Sequence, residues 1–292
     1  MSVHHLVTGH VRALVALPED ADVAAARAAA QTLPGGWTLT QAPAGSGPVD
    51  VVVTTGAAAV SADTGTVRLS LPRTVAASST LAYATYTALE CLRQQQHRVT
   101  VHATAVLRPD GRAVLLLGTK GAGKTSTALA LAAHGWTHAG DDLVVIGATD
   151  SGRLAVWPGK ATAAVRDPAR PLAPKAQLFL ASFASGPAPL TWIVRLAVHP
   201  ALTTKSLTPA VPLTVNERLR LHEMLARYIS GLPTPLTGVT GAPYGPVWPL
   251  DTSALARWRS HLITALASCR YDYLHAPNPE AAADLLTLEA HR

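Results

Sequence analysis

The sequence predicts an α/β protein, and three observations carry that expectation. Hydrophobic residues make up 48% of the 292 positions and charged residues 14%, a composition that folds around a core. A short, wholly apolar run, Ala113 to Leu117, leads into a glycine-rich loop, and a helix-forming stretch from Lys124 leaves it. Strand-like and helix-like segments alternate on both sides of that loop. No apolar stretch reaches the roughly 18 residues of a membrane span. Two cysteines, Cys91 and Cys269, are too few for a disulfide framework and form no metal-binding pair. A protein of the reducing cytoplasm is therefore expected.

In chain order, Ala21 to Leu33 reads as a helix, while Val49 to Thr54 and Thr66 to Leu71 read as strands. From Ser78 to Gln96, apolar residues recur at helical spacing, and residues 1–95 are taken together as an N-terminal α/β lobe. Val99 to Leu107 alternates as one strand and carries His102. Pro109-Asp110-Gly111 supplies turn chemistry, so this strand and Ala113 to Leu117 should form an antiparallel hairpin. Beyond residue 152 the chain turns Pro-rich. Strands are expected at Gln177 to Phe183 and Thr191 to Val198, and helices at Val215 to Ile229 and Thr252 to Ser268.

Gly118-Thr119-Lys120-Gly121-Ala122-Gly123-Lys124-Thr125 matches G-x-x-x-x-G-K-[ST] in full. Glycines let backbone N–H groups turn inward around a polyphosphate, and the following helix adds the partial positive charge of its N-terminus. Lys124 would pair with the β- and γ-phosphates of ATP, and the Thr125 hydroxyl would join a Mg²⁺ shell. Lys120 in the loop and Ser126 in the first helical turn are counted with this site. Asp141 and Asp142 follow Lys124 by 17 and 18 residues and stand before the apolar run Leu143 to Ile146. Most phosphate-loop proteins place their second acid after such a run. A carboxylate here can hold Mg²⁺ or take a proton from an attacking hydroxyl.

His102, the hairpin, the loop through Thr125 and Gly140-Asp141-Asp142 together resemble the HPr kinase/phosphorylase superfamily, with phosphoenolpyruvate carboxykinases as distant relatives. The resemblance covers about residues 99–147. It implies an HPr-kinase-type core with a mixed sheet over residues 96–292, and ATP- and Mg²⁺-dependent phosphorylation of a Ser or Thr hydroxyl. Gly118 to Thr125 would hold the triphosphate, Thr125 with Asp141 or Asp142 the metal; one of the two acids would be the base, supported by His102. Relatives assemble into homo-oligomers. The acidic, Gly-containing signature of bifunctional members has no counterpart, since Lys160 to Lys175 holds Asp167 as its one acid. The chain is in this respect more similar to HPr-kinase-like proteins of bacterial peptide natural-product pathways, whose acceptor is a precursor peptide. A small-molecule kinase and a non-catalytic ATP-binding module are the alternatives.

The 24 basic and 18 acidic side chains leave a net charge of +6, and its location matters more than its size. Residues 1–152 carry ten of each sign, whereas residues 153–227 carry ten basic and three acidic. Few aromatic residues interleave with the cations, which argues against nucleic acid. Arg166 and Arg170 become candidates for contact with transferred phosphate or a substrate carboxylate.

Overall fold

A computed structural model of the chain describes residues 1–8, 10–30, 33–63, 65–165, 175–234 and 242–291. The chain divides into two compact units: Met1–Thr100 with Glu223–Arg259, and Val101–His222 with Ser260–Arg292. Glu223–Arg259 thus belongs to the first unit although it lies far along the chain. No helix among the described residues is long and apolar enough to cross a membrane.

The first unit runs β1 (Ser2–Thr8), β2 (Val11–Leu17), α1 (Val23–Ala29), β3 (Trp37–Gln41), β4 (Val51–Thr55), β5 (Ala59–Asp63), β6 (Thr66–Leu71), α2 (Arg73–Ala76), α3 (Thr80–Ala88), α4 (Glu90–Gln95) and β7 (Arg98–Val101), which crosses the boundary. Its sheet has the order β3-β1-β2-β4-β6-β5 and is mixed, with β2, β4 and β6 parallel and the outer pairs antiparallel. The single helix expected from Ser78 to Gln96 is interrupted at Leu89. Within α3, the Thr85 hydroxyl donates to the Leu81 carbonyl and the Thr87 hydroxyl to that of Tyr83. Such back-bonding competes for helix carbonyls and disturbs the turn that follows.

In the second unit come β8 (Thr104–Leu107), β9 (Ala113–Leu117), α5 (Lys124–Ala132), β10 (Thr137–Gly140), β11 (Val144–Ala148), β12 (Leu154–Trp157), β13 (Thr162–Val165), β14 (Ala176–Phe179), β15 (Ala188–Val198), β16 (Ser206–Pro209) and α6 (Val215–Ala226), followed by α7 (Ser253–Leu266), β17 (Arg270–Ala276) and α8 (Pro279–Ala290). Helices α6 and α7 both span the division between units. The main sheet is again mixed, in the order β10-β8-β9-β15-β12-β11, with β17 added to β15 and β16 to β17. The expected hairpin is present: β8 and β9 pair antiparallel from Thr104 opposite Leu116 to Leu107 opposite Ala113. Beyond it β9 runs parallel to β15, and β15 parallel to β17. Val114 and Leu116, with Trp192, Val194 and Leu196, bury one sheet face against Ala128 and Leu131 of α5 and Ala283 and Leu286 of α8.

Val99 to Leu107 is not one strand but two, β7 and β8, and His102 stands in the break between them rather than in the strand that pairs with β9. Val99, Thr100, Val101 and then Ala103 through Val106 are all fully buried, so both sides of this segment are covered. Alternation therefore carries no mark of where one strand ends. Between α5 and Asp141 the chain adds β10, which pairs antiparallel with β8.

Candidate functional site

The five residues of β9 are buried throughout and deliver the chain to Gly118. Gly118 and Gly123 have φ of 151° and 87°, a region that side chains disfavour. A Cβ at Gly118 would stand 3.0 Å from the Leu196 carbonyl oxygen, and one at Gly123 would stand 2.7 Å from Val198 Cβ. The end of β15 thus packs against the loop, where the Val198 N–H also donates to the Ala122 carbonyl at 3.2 Å. Gly123 caps α5 without a side-chain hydrogen bond, so the first N–H groups of the helix are left for an anion.

Lys124 is 7% exposed, and its amine donates to the carbonyls of Gly118 at 2.9 Å and Thr119 at 3.2 Å. The lysine thereby folds back over its own loop. Burial holds its pKa below the ordinary lysine range, opposed by the charges of Asp142 and Asp141 and assisted by those of Lys175 and Arg195. Lys120 and Ser126 are exposed on the loop and the first helical turn.

The two aspartates have separate surroundings. Asp141 is 3% exposed, and its carboxylate accepts from the Thr125 hydroxyl at 2.9 Å and 3.1 Å and from the Thr104 hydroxyl at 2.6 Å. The Asp142 side chain is 46% exposed, and its Oδ1 lies 3.1 Å from His102 Nε2. Between them the backbone makes a γ-turn: the Leu143 N–H donates to the Asp141 carbonyl at 2.7 Å, and Asp142 in the middle has φ of +65°. This form of γ-turn is strained, and a non-glycine residue there persists when its surroundings hold it.

The segment Pro158 to Lys160 supplies that support. The Asp141 N–H donates to the Lys160 carbonyl at 3.0 Å, the Lys160 N–H to the Leu143 carbonyl at 2.9 Å, and the Gly159 N–H to the Ala139 carbonyl at 2.6 Å. A Cβ at Gly140 would come within 2.9 Å of Gly159 Cα, so both glycines are needed for the two backbones to meet. The strap presents the two carboxylates in opposite settings, one sealed and one open.

The structure therefore brings together the loop from Gly118 to Thr125, both aspartates and His102. Arg166 and Arg170 lie outside the described residues. Thr104 and the Gly159-Lys160 strap escaped sequence reasoning. Thr104 stands two positions after His102, but a Thr in a buried strand is common enough that the spacing carries no signal. No group of three or more His, Cys, Asp or Glu residues suited to a metal occurs among the described residues. The Thr125 hydroxyl and Asp141 carboxylate nonetheless form the small oxygen set that Mg²⁺ uses when waters and phosphates complete its shell.

No protein-family profile and no curated protein matches this chain. Among solved structures, the Hpr(Ser) kinase/phosphatase from Coxiella burnetii is similar over 39% of this chain and 72% of its own, at 18% identity and a TM-score of 0.29. The likeness is slight.

Proposed function

We propose that the chain is an ATP-dependent phosphotransferase of HPr-kinase type, acting on a Ser or Thr hydroxyl of a peptide or small protein, such as a precursor peptide of a biosynthetic pathway. The division of labour between Asp141 and Asp142 carries this reading. Asp141, shared with Thr125, stands on the metal side; bound Mg²⁺ would neutralise charge on the β- and γ-phosphates there. The backbone N–H groups of the loop and the start of α5 hold the triphosphate, and Lys124 exchanges its carbonyl partners for phosphate oxygens.

Asp142 is the base. It is open to solvent, so an acceptor can reach it, and His102 orients its carboxylate. The acceptor hydroxyl oxygen forms a bond to the γ-phosphorus as the bond to the β–γ bridging oxygen breaks. ADP leaves with that electron pair, and the hydroxyl proton passes to Asp142. Nothing in the site requires a covalent enzyme intermediate.

Incubation with ATP, Mg²⁺ and Ser- or Thr-containing candidate peptides should add about 80 Da to one of them by mass spectrometry, the mass of HPO₃. The addition should disappear with Asp142→Asn while ATP binding remains. ATP binding without transfer to any peptide or free hydroxyl compound would instead identify a non-catalytic nucleotide-binding module.

A further inference from the structure

Arg195 occupies the interior of β15, a place where a strand ordinarily carries an apolar residue. Its neighbours Val194 and Leu196 point into the core shared with α5 and α8. By the alternation of a strand, Arg195 lies on the opposite sheet face. There Glu217 of α6, which is 1% exposed, accepts from both Nε, at 2.7 Å, and Nη2 of Arg195. The Tyr271 hydroxyl donates to the same Oε1, the Tyr273 hydroxyl to Oε2 at 3.4 Å, and Arg220 Nη1 stands 3.8 Å from Oε2. Burial raises the Tyr271 phenol well above its usual range, so it stays a donor.

Stability alone does not account for this arrangement. Removing two charges from water costs about as much as their attraction returns, and an apolar replacement of similar volume is often neutral or better. The location is more telling. Arg195 pairs with Leu117, the residue that opens into the phosphate loop. Three residues later β15 touches the loop itself at Val198 and Ala122. The charge of Arg195 also acts on the Lys124 amine. Since β9 lies between β8 and β15, the loop is flanked on one side by Thr104 and the Asp141 it holds, and on the other by Arg195.

We propose that Arg195 is a further phosphate-binding residue, serving the terminal phosphate of the nucleotide, and that Glu217 and Tyr271 are its positioning residues. The clamp holds Nε and Nη2 and so fixes the plane of the guanidinium before the anion arrives. A donor oriented in advance loses little on binding. The loop backbone surrounds the inner phosphates, whereas a cation beside Lys124 adds a contact that ATP makes and ADP lacks.

This inference rests on the nucleotide-binding reading, and calorimetry on the full chain with ATP and with ADP, both with Mg²⁺, separates the two. Wild type should bind both. Arg195→Gln should weaken ATP by about 10- to 100-fold, the range of a lost charge-assisted contact, and ADP by less than about threefold. Glu217→Gln, which loosens the clamp without removing the cation, should weaken ATP alone and by less. An unchanged ATP-to-ADP ratio in Arg195→Gln overturns the proposal, whether both affinities hold or both fall. If wild type binds neither nucleotide, the proposed function fails first. Should Arg195→Gln not fold, by its thermal melt, Arg195→Lys answers the same question: an ATP-specific loss supports the role, and a wild-type ratio refutes it.

Discussion

The two units set their charged side chains in opposite surroundings. In the first unit, Glu90, Arg93 and Gln94 are fully buried and bonded to one another and to their neighbours. Arg93 donates to Glu90 and to the Thr100 hydroxyl, and stacks 4.5 Å above the Tyr86 ring. The second carboxylate oxygen of Glu90 accepts from the Thr100 N–H at 2.9 Å and the Gln94 amide at 3.1 Å. Gln94 in turn donates to the Leu225 carbonyl and accepts from Arg259, which fastens Glu223–Arg259 to α4. In the second unit, Asp142 is half exposed on a strained turn, beside a helix start that no side chain caps. The network around Glu90 joins α4 to Thr100 and to Glu223–Arg259 and so serves the fold. Asp142 instead stands open at a cost in backbone strain, and strain of that kind clusters at functional positions.

The sharpest contrast comes from deleting one partner in each region. Glu90→Ala leaves Arg93 charged and buried without its carboxylate, and should cost about 3–5 kcal/mol in urea unfolding. A loss below about 1 kcal/mol would show that the first network is not closed as described. Asp142→Asn should do the reverse: transfer falls by about 10²- to 10⁴-fold, while the urea midpoint is unchanged or slightly higher, because Asn tolerates a positive φ. Equal activity in Asp142→Asn and wild type would remove Asp142 as base.

Smaller effects sharpen the comparison further. Thr104→Val deprives the buried Asp141 of a donor and should cost about 1–3 kcal/mol of stability, read from the same unfolding curves. Asp142→Gly should be inactive yet more stable by about 1 kcal/mol, since glycine relieves the strained φ by more than it adds to unfolded-chain entropy. A loss of stability in that variant would mean that the bond to His102 outweighs the strain.

What could be read in advance follows the range of the signal. The apolar run at Ala113–Leu117 and the glycine pattern that follows are local, and β9, the loop and the start of α5 lie where they were expected. The hairpin was legible for the same reason, through the turn residues Pro109 to Gly111. The β1–β2 hairpin was not, because His4 and His5 interrupt the apolar pattern of β1, nor was α8, whose run Ala281 to Ala283 carries little helical period. The break at His102 lies in a segment buried on both sides, where a period of two loses its meaning.

The aspartates show the division most clearly. By itself the sequence determined that two adjacent acids precede an apolar strand, 17 residues beyond the loop lysine. The tertiary structure decided which was sealed and which was open. His102 with Thr104, Thr125, and the Gly159-Lys160 strap come from three separate stretches of chain, and only sheet pairing and backbone contact bring them to one turn. A residue's type is carried in the sequence; its solvation, partners and strain are properties of the neighbours that folding supplies.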